Sequence, residues 1–335
     1  MQIFKHPTFN FIKYRWYALV LSWAIIIAGL VVVATRGLPE GIEFQGGTAV
    51  VLQFDTTPGI EQVRAALDRN FAGGGGNIVV QSYGPPSSRE IMVRVPQVGK
   101  EAGTELRQTA DAVTTALTKA NLGQFKEMGS EVVGPSVGRD LKRKGILATA
   151  LSLAGILIYI ALRFRLSFAV GAIVASIHDL LITMAFLAFF RYDLTLNVIA
   201  AVLTLTGYSM NDTIVIFDRV RENLRGMRRD NIAEVVNVAV NQTLNRTIIT
   251  GGTTLLSVVA LFLFGGEVLH GFAFTMIVGV ITGTYSSVFI AAAIVTFWHK
   301  GAARAKAVVT APPAPVSPQT APRARAKTQR KARAS

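Results

Sequence analysis

Cysteine is absent from these 335 residues, which excludes disulfides and thiolate metal sites whatever compartment the chain reaches. Charge is scarce as well. Asp, Glu, Lys and Arg make up 16% of the chain, against about a quarter in an ordinary soluble domain. The four histidines show no metal-ligand spacing, so no metal is expected. The glycine run Gly73 to Gly76 lacks the Gly-Lys-Ser/Thr ending of a phosphate cradle and reads as a loop. No nucleophile is set beside a base. Neither an enzyme nor a cofactor is expected.

What the chain has in excess is apolar length, with 51% hydrophobic residues. Six runs are long enough to cross a bilayer: 16–35, 145–162, 166–190, 194–217, 247–266 and 271–298. The first is too long for a signal-peptide core and lacks a convincing small-residue cleavage site, so it reads as a retained anchor. Between the first two runs lies a segment of ordinary polarity, 36–144. Its β-like stretch Ile42 to Phe54 is interrupted by Gly46-Gly47. A helix capped by Thr57 with Pro58 follows to about Asn70. Then come strands Asn77 to Tyr83 and Glu90 to Val95, a helix over 101–120 and a strand over 124–133. The order β-α-β-β-α-β predicts a ferredoxin-like α+β domain.

Basic residues orient the spans. Lys5, Lys13 and Arg15, then Arg163 and Arg165, then Arg219 to Arg229, then Lys300, Arg304 and Lys306 all fall on one side of a six-span arrangement. The chain therefore reads as a multi-pass inner-membrane protein with the N-terminal 1–15 and both termini cytoplasmic and the 36–144 domain outside. Segment 231–245 has a helical apolar face, fit to lie on the cytoplasmic membrane surface or to pack on neighbouring loops. Gly279 and Gly283 form a small-residue face for close helix packing. The net charge of +14 belongs largely to the tail 299–335, where nine basic residues and no acid stand among prolines and alanines. Such a tail should be disordered, with anionic lipid, ribosomal RNA or only solvent as its partner.

The chemistry concentrates in spans three to five. Asp212 lies seven residues before Arg219, so its carboxyl sits about 10 Å below the charged edge of its helix. An ionised group that deep costs roughly 2.5–3.5 kcal/mol on insertion scales, and such residues carry ions or hold helices together. Arg246 opens span five on the same side and can face Asp212 if that helix starts before it. His178 and Asp179 stand near the middle of span three. Asn211, Thr204, Thr206, Tyr208 and Ser209 add polar groups along span four. A carboxylate with an arginine in a wettable interior suits a proton relay. With six spans and one inserted domain, the chain reads as half of a transporter needing a second half.

The stretch Gly207-Tyr208-Ser209-Met210-Asn211-Asp212-Thr213, continued by Phe217-Asp218-Arg219-Val220-Arg221-Glu222-Asn223, resembles the SecF family, the smaller subunits of the SecDF complexes that assist bacterial protein export. Gly46-Gly47, Gly134-Pro135 with Gly138, His178-Asp179 and Asn245-Arg246-Thr247 extend the likeness across residues 1–300. Glu43 departs from it, standing where the family has Asp. The resemblance implies an RND-type bundle paired with SecD and associated with SecYEG and YajC. It also implies an outer domain that meets unfolded preprotein and export driven by the proton-motive force. Asp212 and Arg246 fall at its proton-coupling positions, with Asp179, His178 and Asn211 as secondary candidates, and motion passing to the outer domain through spans one and two. The alternatives are half of a small-molecule exporter of the RND type, and a membrane-tethered binder of ribosomes or nucleic acid acting through the tail.

Overall fold

The computed structural model describes residues 7–56, 58–70, 78–84, 87–96, 103–164, 166–227 and 230–298. Thr57, the glycine run and the basic tail, which all bear on expectations above, lie outside them. A 3-10 turn, Phe11–Tyr14, leads into α1 (Arg15–Arg36). A helical turn α2 (Ile42–Gln45) follows where a strand was expected. Gly46 and Gly47, both at positive φ, then turn the chain into β1 (Gly47–Phe54). Next come α3 (Ile60–Asn70), β2 (Val79–Tyr83), β3 (Glu90–Pro96), α4 (Gly103–Lys119) and β4 (Phe125–Val133). Helix α3 starts at Ile60, not Pro58, because the Gln62 carboxamide accepts the Gly59 N–H at 3.2 Å and closes its first turn.

The four strands order as β2-β3-β1-β4 with all neighbours antiparallel, which is the split βαβ arrangement. Alternation divides the two faces. Val50, Leu52 and Phe54 of β1 join Ile91 and Val93 of β3 against Val63 and Leu67 of α3 and Val113 and Leu117 of α4. Ala49, Gln81, Met92 and Arg94 point the other way, into a cleft whose far wall includes Tyr192, Asp193 and His270.

Helix α5 (Pro135–Arg163) is about 43 Å long at 1.5 Å per residue, so its first ten residues project beyond the apolar run beginning at 145. Gly138 lets that projection press on the Phe44 carbonyl, where any side chain would collide. Then follow α6 (Leu166–Phe190), α7 (Leu196–Gly226), α8 (Ile232–Phe264) and α9 (Glu267–Ser286), which continues through a π-turn, Ser287–Ala291, to Trp298. Among the described residues six helices are long and apolar enough to cross a membrane.

Segment 231–245 does not lie apart on a surface. It forms the first two fifths of α8 without a break. Its Val235 and Val236 are buried, and Val236, Ala239 and Val240 pack with Ile12, Phe168 and Phe217. Its polar face has a task as well. Asn237 and Asn241 exchange hydrogen bonds of 2.8–3.0 Å with the backbone of Phe9 and Phe11, strapping the N-terminal segment to the bundle. The small-residue face of α9 packs as expected, with Gly279 against Leu205 and Gly283 against Ser209.

Two apolar clusters fill the bundle. One joins Phe168, Ala172, Phe217, Val240 and Val295; the other joins Ala201, Leu205, Val258, Met276 and Val280. Between them, on every central helix, comes a polar stretch: Asp179 on α6, Ser209 and Asp212 on α7, Thr247 on α8, Thr284 and Ser286 on α9. All of these except Thr284 are at most a few per cent exposed. The bundle thus carries a polar belt between two greasy layers.

Candidate functional site

The belt holds two carboxylates in opposite conditions. Asp179 is 1% exposed and fully occupied. Its Oδ1 meets His178 Nδ1 at 3.0 Å, and its Oδ2 accepts hydrogen bonds from Ser209 and, at 2.8 Å, from Ser286. Helices α6, α7 and α9 are therefore tied at one point. His178 also stacks on Tyr285, whose hydroxyl donates to the Ala18 carbonyl of α1 at 2.6 Å. A buried carboxylate that accepts this many bonds is a fastener between helices.

Asp212 is equally deep, at 2% exposed, but only half satisfied. The Thr247 hydroxyl of α8 donates to Oδ1 at 3.2 Å, while Oδ2 is buried without a partner among the described residues. The Thr213 hydroxyl is likewise buried and unpartnered among the described residues, while the Tyr208 hydroxyl faces those of Thr284, Thr254 and Thr250. Those of Tyr208 and Thr284 converge on Gly251, close enough that a Cβ there would sit 3.2–3.3 Å from both. A carboxyl with one free oxygen beside a cluster of hydroxyls has the means to take up and release a proton.

Helix α8 does start well before Arg246, yet no ion pair with Asp212 forms within 4 Å among the described residues. Successive helical residues are turned by about 100°. Thr247 takes the inward position, and Arg246 beside it is exposed. Asn211, one residue before Asp212, is turned outward for the same reason. The sequence brings out Asp212, Asp179, His178 and Ser209 but misses Thr247 and Ser286. Hydroxyls recurring inside apolar spans were the available signal.

A second feature ties the belt's helices to the sheet domain. The α6–α7 connection forms a parallel bridge with the chain after α1, with Leu194 N–H donating to Pro39 O and Gly41 N–H to Leu194 O, both at 2.8 Å. Beside it Arg94 of β3 is ion-paired with Asp193. Glu131 borders the same cleft. Partial desolvation, then the like charge of Glu43, raises its pKa, and Arg94 opposes them. The α6–α7 link is thus a third route from bundle to domain, besides α1 and α5.

Comparison with known proteins decides the family. The profile described as protein export membrane protein SecD/SecF, C-terminal, matches residues 112–301, and the SecD/SecF GG motif matches residues 31–58, around Gly46-Gly47. The protein translocase subunit SecF of Desulfurispirillum indicum is 40% identical over 86% of this chain and 91% of its own length. That of Vibrio alginolyticus is 41% identical over 88% and 91%.

The chain belongs to the SecF family.

It is a multi-pass membrane protein and, as a SecF-type chain, an accessory subunit of the Sec protein translocase, a transport component and not a classical enzyme. The crystal structure of SecDF from Thermus thermophilus superimposes with a TM-score of 0.77 at 35% identity, over 88% of this SecF chain. A super-membrane-facing form of SecDF gives 0.66 at 34% identity. This chain spans about two fifths of those solved chains, 39% and 41%. The exporter and nucleic-acid readings give way to this membership.

Proposed function

We propose that this chain is the SecF half of a SecD–SecF pair that uses the proton-motive force to draw preprotein out of the SecYEG channel after the ATP-driven step, with YajC as a further associate. The observation that carries the reading is Asp212, buried with one oxygen free, directly behind a face of α7 and α8 that exposes Asn211 and Arg246 at membrane depth. Exposed polar groups at that depth are costly against lipid and suit a second helical half. The solved SecDF chains, of which this chain matches about two fifths, support SecD as that half. In this reading Asp212 exchanges the proton, Arg246 answers its charge from the seam with SecD, and Asn211 lines the same seam. Asp179 and His178 hold the helices around them. The reconstituted system tests it. Vesicles holding SecYEG, SecD and this chain should complete preprotein export faster under an imposed proton gradient. Omitting the chain should remove the difference, and an equal gradient response without it would overturn the proposal.

In this reading the chain sits in the inner membrane, and the basic clusters support cytoplasmic termini with the sheet domain outside. Because the chain lacks cysteine, single cysteines report position cleanly. Ser88→Cys, on the β2–β3 turn, should react with an impermeant thiol reagent reaching the outer face of the inner membrane, and Ser335→Cys should not. Labelling of the second instead of the first would invert the topology. Gln81 and Arg94 line the cleft toward the bundle, so an exported chain reaching them must enter there.

A further inference from the structure

At the end of the bundle away from the sheet domain, a cavity of about 390 Å³ opens between the α5–α6 turn and the extension of α7. Its walls are apolar, Leu162, Phe164, Phe168 and Leu224, and its rim carries Arg163, Arg221 and Arg225. We propose that this cavity is a binding site for an anionic glycerophospholipid, its phosphate held among the three arginines and an acyl chain laid along Leu162 and the aromatic wall.

The geometry places the rim at headgroup height. Arg163 ends the apolar run of α5, and the apolar part of α7 ends at Phe217. Arg221 and Arg225 then lie about 6 and 12 Å further along the axis, within and just beyond the headgroup layer that flanks a 30 Å hydrocarbon core. They stand one turn apart and so share a face of α7.

Charge balance favours an anion there. Arg163 lies over the Phe164 ring at 5.3 Å, with its guanidinium 3.7 Å from the Asp218 carboxylate. The other nearby acid, Glu222, is taken by Arg219 at 2.6 Å. Arg221 and Arg225 form no ion pair among the described residues. Guanidinium groups grip phosphate oxygens in pairs. Free phosphate would satisfy the rim but leave Leu162 uncovered, whereas a lipid satisfies both. Leu162, 84% exposed at the membrane edge, extends that wall into the bilayer. The site lies outside the belt and does not depend on how Asp212 is used.

Native mass spectrometry of the full chain in neutral detergent tests the assignment, with phosphatidylglycerol, phosphatidylcholine and inorganic phosphate titrated separately. Phosphatidylglycerol should be retained and phosphatidylcholine not. Each arginine changed to glutamine should weaken retention about fivefold, the loss expected for one surface charge near anionic lipid. The combined variant Arg163→Gln, Arg221→Gln, Arg225→Gln should lose the preference while keeping its helical circular dichroism. A control removing equal charge at the opposite boundary, Arg36→Gln, Arg143→Gln, Arg191→Gln, should keep it. Equal loss in the control, unchanged retention in the rim variant, or displacement of the lipid by inorganic phosphate would each overturn the proposal. Should the combined variant not fold, Arg225→Gln alone, at an exposed position, supplies the same comparison.

Discussion

Asp212→Asn should leave the protein in the membrane at normal levels, paired with SecD, and remove the gradient-dependent part of preprotein export almost entirely. The substitution keeps the shape of the side chain, and its carbonyl oxygen can still accept the Thr247 hydroxyl bond seen at 3.2 Å. What disappears is the ability to gain and lose a proton. A proton crossing 100 mV makes about 2.3 kcal/mol available, enough to shift a two-state equilibrium about fiftyfold. The shift would reach the sheet domain through α7 itself, since its N-terminal end follows directly on Asp193 and Leu194, which are fastened to Arg94 and to Pro39–Gly41. Arg246→Met should resemble Asp212→Asn in export. It should leave stability intact, because Arg246 is exposed and does not hold Asp212 in place. Arg246→Lys keeps the charge and should retain part of the activity. Export is measured in inverted vesicles with and without an uncoupler. Undiminished gradient dependence in Asp212→Asn would sink the coupling role of this residue.

Asp179→Ala should fail in a different way. Its carboxylate accepts from His178 on α6, Ser209 on α7 and Ser286 on α9, all buried. Hydrogen bonds to a charged group contribute about 1.5–3 kcal/mol each, and donors left buried without an acceptor cost more than the bonds alone. A loss of at least 3–5 kcal/mol is expected, a large fraction of total stability. It should show as a sharp drop in the thermal aggregation midpoint in detergent and in membrane yield. Asp179→Asn, which keeps one acceptor oxygen, should lose less. The contrast between the two carboxylates is the diagnostic. A stable but export-inactive Asp179→Ala would transfer it from the scaffold to the proton path.

Six spans, the βαββαβ order and the buried position of Asp212 were legible because each rests on local pattern: apolar length, alternation, and one charge counted from a helix edge. Segment 231–245 shows where local pattern stops. Its amphipathic face was visible, but a membrane surface and a bundle of phenylalanines are equally good at burying valines, and only the fold chooses between them. The roles of Asp179 and Asp212 were separable only in three dimensions. Both are acids in apolar helices, and the difference lies in which hydroxyls neighbouring helices bring. Ser286 stands 107 residues from Asp179, while Thr247 stands 35 from Asp212. That Arg246 makes no direct ion pair with Asp212 among the described residues is a matter of rotation. Sequence places a residue at a height along a helix, but the packing of α7 on α8 decides which of two consecutive residues, Arg246 or Thr247, points inward.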